Sequence, residues 1–240
     1  MGRRVALAEN VPECPPLDGV NVTQEKEKAD SANPQEELKL TEFLILTALW
    51  MLFGFMLWYY FSAFHGVPAR LLSETILSQV LGADFSRIVA EPNQQFLFQV
   101  ETWIPFVFPD ETTENLGFII NPLIFSYGLP VLFGLVMASG VSWVRKLVIL
   151  LIGYAVITLV QVWGVVWESL KVLAFNFGEQ THVVVQAHGI SDSVIAIGYQ
   201  VGTLILPALA PILIWILTNR PLVEQLVGWR PDQLRQNRNP

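Results

Sequence analysis

Cysteine is nearly absent. Cys14 is the only one in 240 residues, so no intramolecular disulfide can form within one chain. The three histidines, His65, His182 and His188, have no cysteine or serine partner at a spacing that marks nucleophilic catalysis, and no catalytic residue is expected. His182 and His188 lie six apart and do not share a helix face, so a zinc site is not expected either. The acidic stretch PDETTEN, with Asp110, Glu111 and Glu114, lacks the glycine of a calcium-binding loop and reads as an acidic solvated loop. No metal and no cofactor are expected. Charge is also scarce: 15% of residues are charged against 52% hydrophobic and 12% aromatic, with a mean hydropathy of +0.47, which excludes an ordinary soluble domain. A targeting leader is not expected, because Arg3-Arg4 precedes no apolar segment and Cys14 follows Asn-Val-Pro-Glu rather than a lipoprotein signal.

What the chain has instead is four runs free of Asp, Glu, Lys and Arg, at 43–64, 121–139, 147–167 and 194–218. Each approaches the ~20 residues that cross ~30 Å of hydrocarbon as a helix. The fold class that follows is mainly α: a polytopic membrane protein with four transmembrane helices and a small α+β extracytoplasmic loop module. Residues 1–42, rich in Glu, Lys, Asn, Gln and Pro, read as a disordered acidic tail. Eleven of the fourteen Lys and Arg fall in that tail, in the loop 140–146 or in the tail 219–240. The positive-inside bias therefore puts both termini in the cytoplasm and the segments 65–120 and 168–193 outside. Trp58, Tyr59, Tyr60, Trp163 and Trp167 gather at the expected outer interface, whereas Trp143 and Trp215 lie towards the inner one.

Within 65–120, Val67, Leu71, Leu72, Ile76 and Val80 recur at helical spacing and predict an amphipathic helix lying on the membrane or on a small sheet. FSRIVA and FLFQVETWI predict strands; in the second, Phe96, Phe98, Val100, Thr102 and Ile104 alternate with Leu97, Gln99, Glu101 and Trp103. One helix and two or three strands make too small a core to stand alone, so the module is expected to lean on the outer ends of the spans or on a partner.

Proline and glycine punctuate the second and fourth runs. Asn121 is a preferred N-cap before Pro122, which is tolerated in a first helical turn; Pro130 then falls about two turns on, beside Gly128 and near Tyr127, and predicts a kinked outer third with the carbonyl near Ser126 lacking its donor. In the fourth run Gly198 and Gly202 have the spacing that lets two helix backbones touch, with Tyr199, Gln200 and Pro207 in the same stretch. Gln161 and Gln200 each lie six residues inside the expected outer boundary, at equal depth, where they could meet as structural glue between the third and fourth spans. Asn121, Pro122, Tyr127, Gly128, Pro130, Gln161, Gly198, Tyr199, Gln200, Gly202 and Pro207 are the candidate helix-contact or partner-docking residues.

NPLIFSYGLPVLFGLVMAS and IAIGYQVGTLILPALAPILIW, with the four-run layout and the amphipathic outer loop, resemble the exosortase H-associated membrane proteins, over roughly Glu42 to Pro221. The matching positions are Asn121, Pro122, Leu123, Tyr127, Gly128, Leu129 and Pro130, then Gly198, Tyr199, Gln200, Gly202, Thr203, Leu206 and Pro207. Phe125-Ser126 departs from the Tyr-Gly commoner in that family. The resemblance implies a bacterial inner-membrane protein with an accessory role beside an exosortase, which cleaves a C-terminal Pro-Glu-Pro-type signal from exported proteins. Membrane lipid and the exosortase are the expected partners, and nucleic acid is not. A non-catalytic docking partner is the leading expectation. A small-solute carrier or channel subunit using the Pro- and Gly-broken helices is the alternative, weakened by the lack of any intramembrane charge. An intramembrane hydrolase built on Glu168 or the histidines has only residue identity in its favour.

Overall fold

A computed structural model describes residues 40–108, 111–221 and 223. The expected acidic tail lies outside the described residues as far as residue 39, and so does the C-terminal tail apart from 219–221 and 223.

Among the described residues three helices are long and apolar enough to cross a membrane. Helix α1 (Leu40–Tyr60) is apolar on every side and mostly exposed. After a short helix α2 (Ser62–His65) comes α3 (Val67–Leu81), and a 3-10 turn at Gly82–Asp84 leads into the sheet. The strands β1 (Phe85–Ala90), β2 (Phe98–Val107) and β3 (Thr113–Ile120) pair antiparallel in the order β1-β2-β3, with Ile88 opposite Val100 and Val100 opposite Phe118. From Phe98 onward the expected alternation holds, with Phe98, Val100, Thr102 and Ile104 buried and Trp103, Pro105 and Val107 facing out, but Phe96 and Leu97, expected in the same strand, lie in the turn before it and are both half-buried. Part of the acidic stretch expected as a solvated loop belongs instead to β3, where Thr113, Glu114 and Asn115 sit exposed opposite Val107, Phe106 and Pro105.

Helix α3 meets the sheet by a different stripe from its most apolar one. Ala69, Ser73, Leu77 and Leu81, spaced four apart, are the residues buried, whereas Val67, Leu71, Leu72 and Ile76 stay exposed. Residues at i and i+4 form one ridge of a helix, and here the ridge led by small side chains is the one turned inward. Arg70 and Glu74 fix the helix against β1, the guanidinium donating to the Ile88 carbonyl at 3.0 Å and the Glu74 carboxylate accepting from the Ile88 amide at 3.3 Å.

The second run does not form one long helix. Asn121 accepts from the Leu123 amide at 3.1 Å and caps a 3-10 turn, Pro122–Phe125; helix α4 (Gly128–Ala138) begins only after Ser126 and Tyr127. Its 11 residues rise about 16 Å, short of the ~30 Å of hydrocarbon. Pro130 therefore stands in the first turn of α4, where a missing N–H breaks no helical bond, rather than kinking a longer helix. The Ser126 carbonyl has a donor after all, the Leu129 amide at 3.0 Å.

Helix α5 (Trp143–Phe175) is 33 residues long, close to 50 Å, and overshoots both the expected end at Trp167 and the hydrocarbon thickness. Its surplus turns stand among the sheet and α3, where Leu170, Val172, Leu173 and Ala174 join Leu77, Ile88, Val100 and Leu116 in one apolar cluster. The module thus completes its core on a spanning helix, as the size argument required. The expected loop 168–193 carries the end of α5, the helix α6 (Glu179–Ala187) and the start of α7 (Asp192–Gln200). A π-helical turn, Val201–Ile205, joins α7 to α8 (Leu206–Thr218), making one apolar stretch from Asp192 to Thr218.

Cross-contacts define two ends of the bundle. At one, the Phe43 and Trp215 rings lie 5.5 Å apart, Trp215 Nε1 donates to Ser139 Oγ at 2.8 Å, and the Arg145 guanidinium donates to the Thr218 carbonyl. At the other, Trp58 Nε1 donates to Ser126 Oγ at 3.2 Å and Tyr154 Oη to the His65 carbonyl at 3.3 Å. The leg from Pro122 to Ala138 runs between these ends alongside the three longer helices.

Candidate functional site

Apart from Tyr199 and Gln200, the candidate residues fall into two seams, both inside this chain. The first joins the 3-10 turn and α4 to α5 and α8. Gln161 is 1% exposed and donates from Nε2 to the Pro122 carbonyl at 3.2 Å, so the buried amide of α5 holds the turn that Asn121 caps. Two residues of α5 make room for this. A Cβ on Gly164 would lie 2.2 Å from the Phe125 ring, and one on Gly153 would lie 1.9 Å from Leu132 Cδ2. Gly128 meets α8, where a Cβ would come within 2.8 Å of the Pro207 carbonyl oxygen and 3.3 Å of the Pro211 ring. Gly54 of α1 packs on Pro130 and Phe133 in the same manner. Tyr127 is half-buried at the N-cap of α4.

The second seam joins α5 to α7 and the π-helical turn. A Cβ on Gly198 would strike the Trp167 ring at 2.3 Å, and one on Gly202 would reach Trp163 Cδ1 at 2.8 Å and Gly164 Cα at 3.3 Å. Trp163 Nε1 donates to the Gly198 carbonyl at 3.0 Å, and the two tryptophan rings lie 5.7 Å apart. The small-residue spacing here accompanies close approach to α5 of the same chain. The π-helical turn is the local consequence of Pro207 two residues later. Proline cannot donate to Thr203, and the Leu206 amide bonds back to Val201.

The expected meeting of Gln161 with Gln200 does not occur: Gln161 is committed to Pro122, and Gln200 is exposed. Tyr199 has a different partner, the Lys171 ammonium 4.4 Å from its ring centroid, and Lys171 also pairs with Glu168 at 3.1 Å.

The histidines are structural fasteners. His182 Nε2 lies 3.0 Å from Asp192 Oδ1, joining α6 to α7, and His188 Nε2 lies 3.0 Å from Asp84 Oδ2, joining α6 to the module. His65 stacks on Trp58 with Nε2 3.1 Å from the Trp58 carbonyl, which assigns the ring proton to that nitrogen. Burial lowers its pKa, opposed by the hydrogen bond to Trp58. Among the described residues no group of three or more His, Cys, Asp and Glu could hold a metal ion.

Two features escaped the sequence reading. One is a groove of about 510 Å³ between α3, α5 and α7, lined by Ile76, Val80, Val166, Leu170, Val194 and Trp163 among others. The spacing of Trp163, Val166, Trp167 and Leu170 on one helix face was the available signal. The other is the open face of the sheet, with Trp103, Val107 and Ile119 exposed around the Arg87–Glu101 ion pair at 2.7 Å.

Three long apolar helices, a short fourth leg and a small sheet seated on the longest helix define a polytopic membrane protein with an appended module. Residues 37–222 match the family of exosortase H-associated membrane proteins, and the chain belongs to that family. No curated protein and no solved structure matches it.

Proposed function

We propose that this chain is a non-catalytic accessory subunit of an exosortase-type protein-sorting system, docking to the sorting enzyme or its substrates at the outer face of a bacterial cytoplasmic membrane. The observation that carries this reading is the family match, which takes in nearly the whole described body. The proposed topology has four crossings and cytoplasmic termini, divided as the four runs divide it. In its support, Pro122–Ala138 runs between the same two ends as the longer helices, and the Lys and Arg bias puts the module outside.

The candidate glycines and prolines act in this reading as the frame that holds the module up. Gly128, Gly198 and Gly202 are occupied by Pro207, Trp167 and Trp163, so the partner's contact lies elsewhere. The open sheet face fits that need. Trp103 is 59% exposed on the sheet face that also carries Val107 and Ile119, and tryptophan is among the residue types enriched at interface hot spots. Co-purification tests the reading. Full-length chain extracted in mild detergent should bring down the sorting enzyme, and Trp103→Glu should lower that recovery at least several-fold at equal abundance. Absence of the enzyme from the wild-type eluate contradicts the accessory role; equal recovery with Trp103→Glu contradicts only the assigned face.

A further inference from the structure

We propose that the groove between α3, α5 and α7 is a binding site for one phospholipid acyl chain, drawn from the leaflet on the module side of the membrane. Its chemistry comes first: Ile76 and Val80 form one wall, Val166 and Leu170 the floor, Val194 the other wall, and no charged residue lines it. The indole N–H of Trp163 is committed to the Gly198 carbonyl, which leaves Trp167 and Ser191 as the polar side chains of an otherwise apolar lining.

Size separates hydrocarbon from a protein helix. A helix with side chains is 10–12 Å across and rises 5.4 Å per turn, so one turn fills roughly 400–600 Å³. The groove is about 510 Å³ and open along one side, so a partner's helix would stand largely proud of it. An extended acyl chain is narrow enough to follow it. Continuity identifies the source. Trp163 and Leu159 are both exposed on a helix whose length and composition suit a membrane, so the groove opens directly onto surface that faces hydrocarbon. Trp163 and Trp167 sit at its rim, where indole rings mark the boundary between acyl chains and headgroups. The exposed apolar ridge of α3, Val67, Leu71, Leu72 and Ile76, extends the same surface under the module. A chain lying here would cover the wall that α3 leaves open and brace the module against the bundle.

The test uses full-length protein in proteoliposomes containing a phospholipid with a photoreactive diazirine on its acyl chain, with adducts mapped by mass spectrometry. Adducts at Ile76–Val80 and Ile190–Val194 are expected to exceed, several-fold, those on the exposed α1 residues Leu49, Leu52 and Phe53. Ile76→Trp and Val194→Trp each fill the groove from an exposed position, so at least one should fold. Each is expected to remove the groove adducts while leaving those on α1 unchanged. Groove labelling no denser than α1, or labelling that persists in a folded filling variant, overturns the proposal. So does a cysteine crosslinker at Ile76 that in native membranes captures a second copy or another protein in place of lipid.

Discussion

Gly128→Ala is expected to loosen the whole bundle. The added methyl would sit 2.8 Å from the Pro207 carbonyl oxygen and 3.3 Å from two carbons of the Pro211 ring. These are backbone and a closed ring rather than the tip of a flexible side chain, so relief requires α4 and α8 to separate. Overpacking of this kind costs ~1–3 kcal/mol. Restricting the unfolded chain recovers about 0.4–1 kcal/mol, which leaves the variant destabilised. The net cost is at most about 2.6 kcal/mol, and at about 2–4 °C per kcal/mol for a body of this size the melting temperature should fall by up to roughly 10 °C. Fluorescence-detected size exclusion of detergent-solubilised protein after heating gives the measurement. Gly140→Ala is the control, because a Cβ there meets nothing within 4 Å, and it should melt at or slightly above the wild-type temperature. If Gly128→Ala melts with Gly140→Ala, the close α4–α8 approach is wrong.

Gln161→Leu removes the buried donor to Pro122 and should cost ~0.6–1.7 kcal/mol, whereas the exposed Gln200→Leu should leave melting unchanged; equal losses would restore the glutamine pair. In a Cys14→Ser background, a cysteine at Asn115 should react with an impermeant thiol reagent on intact spheroplasts and one at Gly140 should not; the reverse pattern refutes the orientation. His65 has its pKa lowered from the ordinary 6.5, so as pH falls through 6.5 the unfolded chain takes up the proton before the folded one does. Its contribution is full above pH 6.5 and declines as pH falls from there towards the folded value. His65→Gln should therefore flatten that part of the melting profile, and an unchanged slope would place the titration elsewhere.

The sequence made α1, the middle of α5 and the last helix legible because lipid selects uncharged runs, and β2 legible because one buried face imposes alternation. Other parts were hidden for physical reasons. Glu168 and Lys171 end the hydropathy signal of α5, yet they pair with each other and let the helix run on to Phe175. On α3 the stripe that packs, Ala69, Ser73, Leu77 and Leu81, is less hydrophobic than the one left outside, so periodicity marked the exposed ridge and not the stripe that meets the sheet. Pro130 reads alike in mid-helix and in a first turn, and only the break at Ser126-Tyr127 decides between them. The partner of Gln161 is a backbone carbonyl, which no residue pattern marks. The prolines and glycines of the candidate set were recognisable as contact residues, but the neighbours they serve come from three different helices.

Site-specific photocrosslinking in intact cells bears most directly on the accessory role. A photoreactive amino acid at Trp103, on the open sheet face, is expected to give a covalent adduct between this chain and the sorting enzyme; the same probe at Leu151, exposed on the membrane-facing part of α5, should not. No adduct from either position, with both variants present at wild-type abundance, would contradict docking to that enzyme.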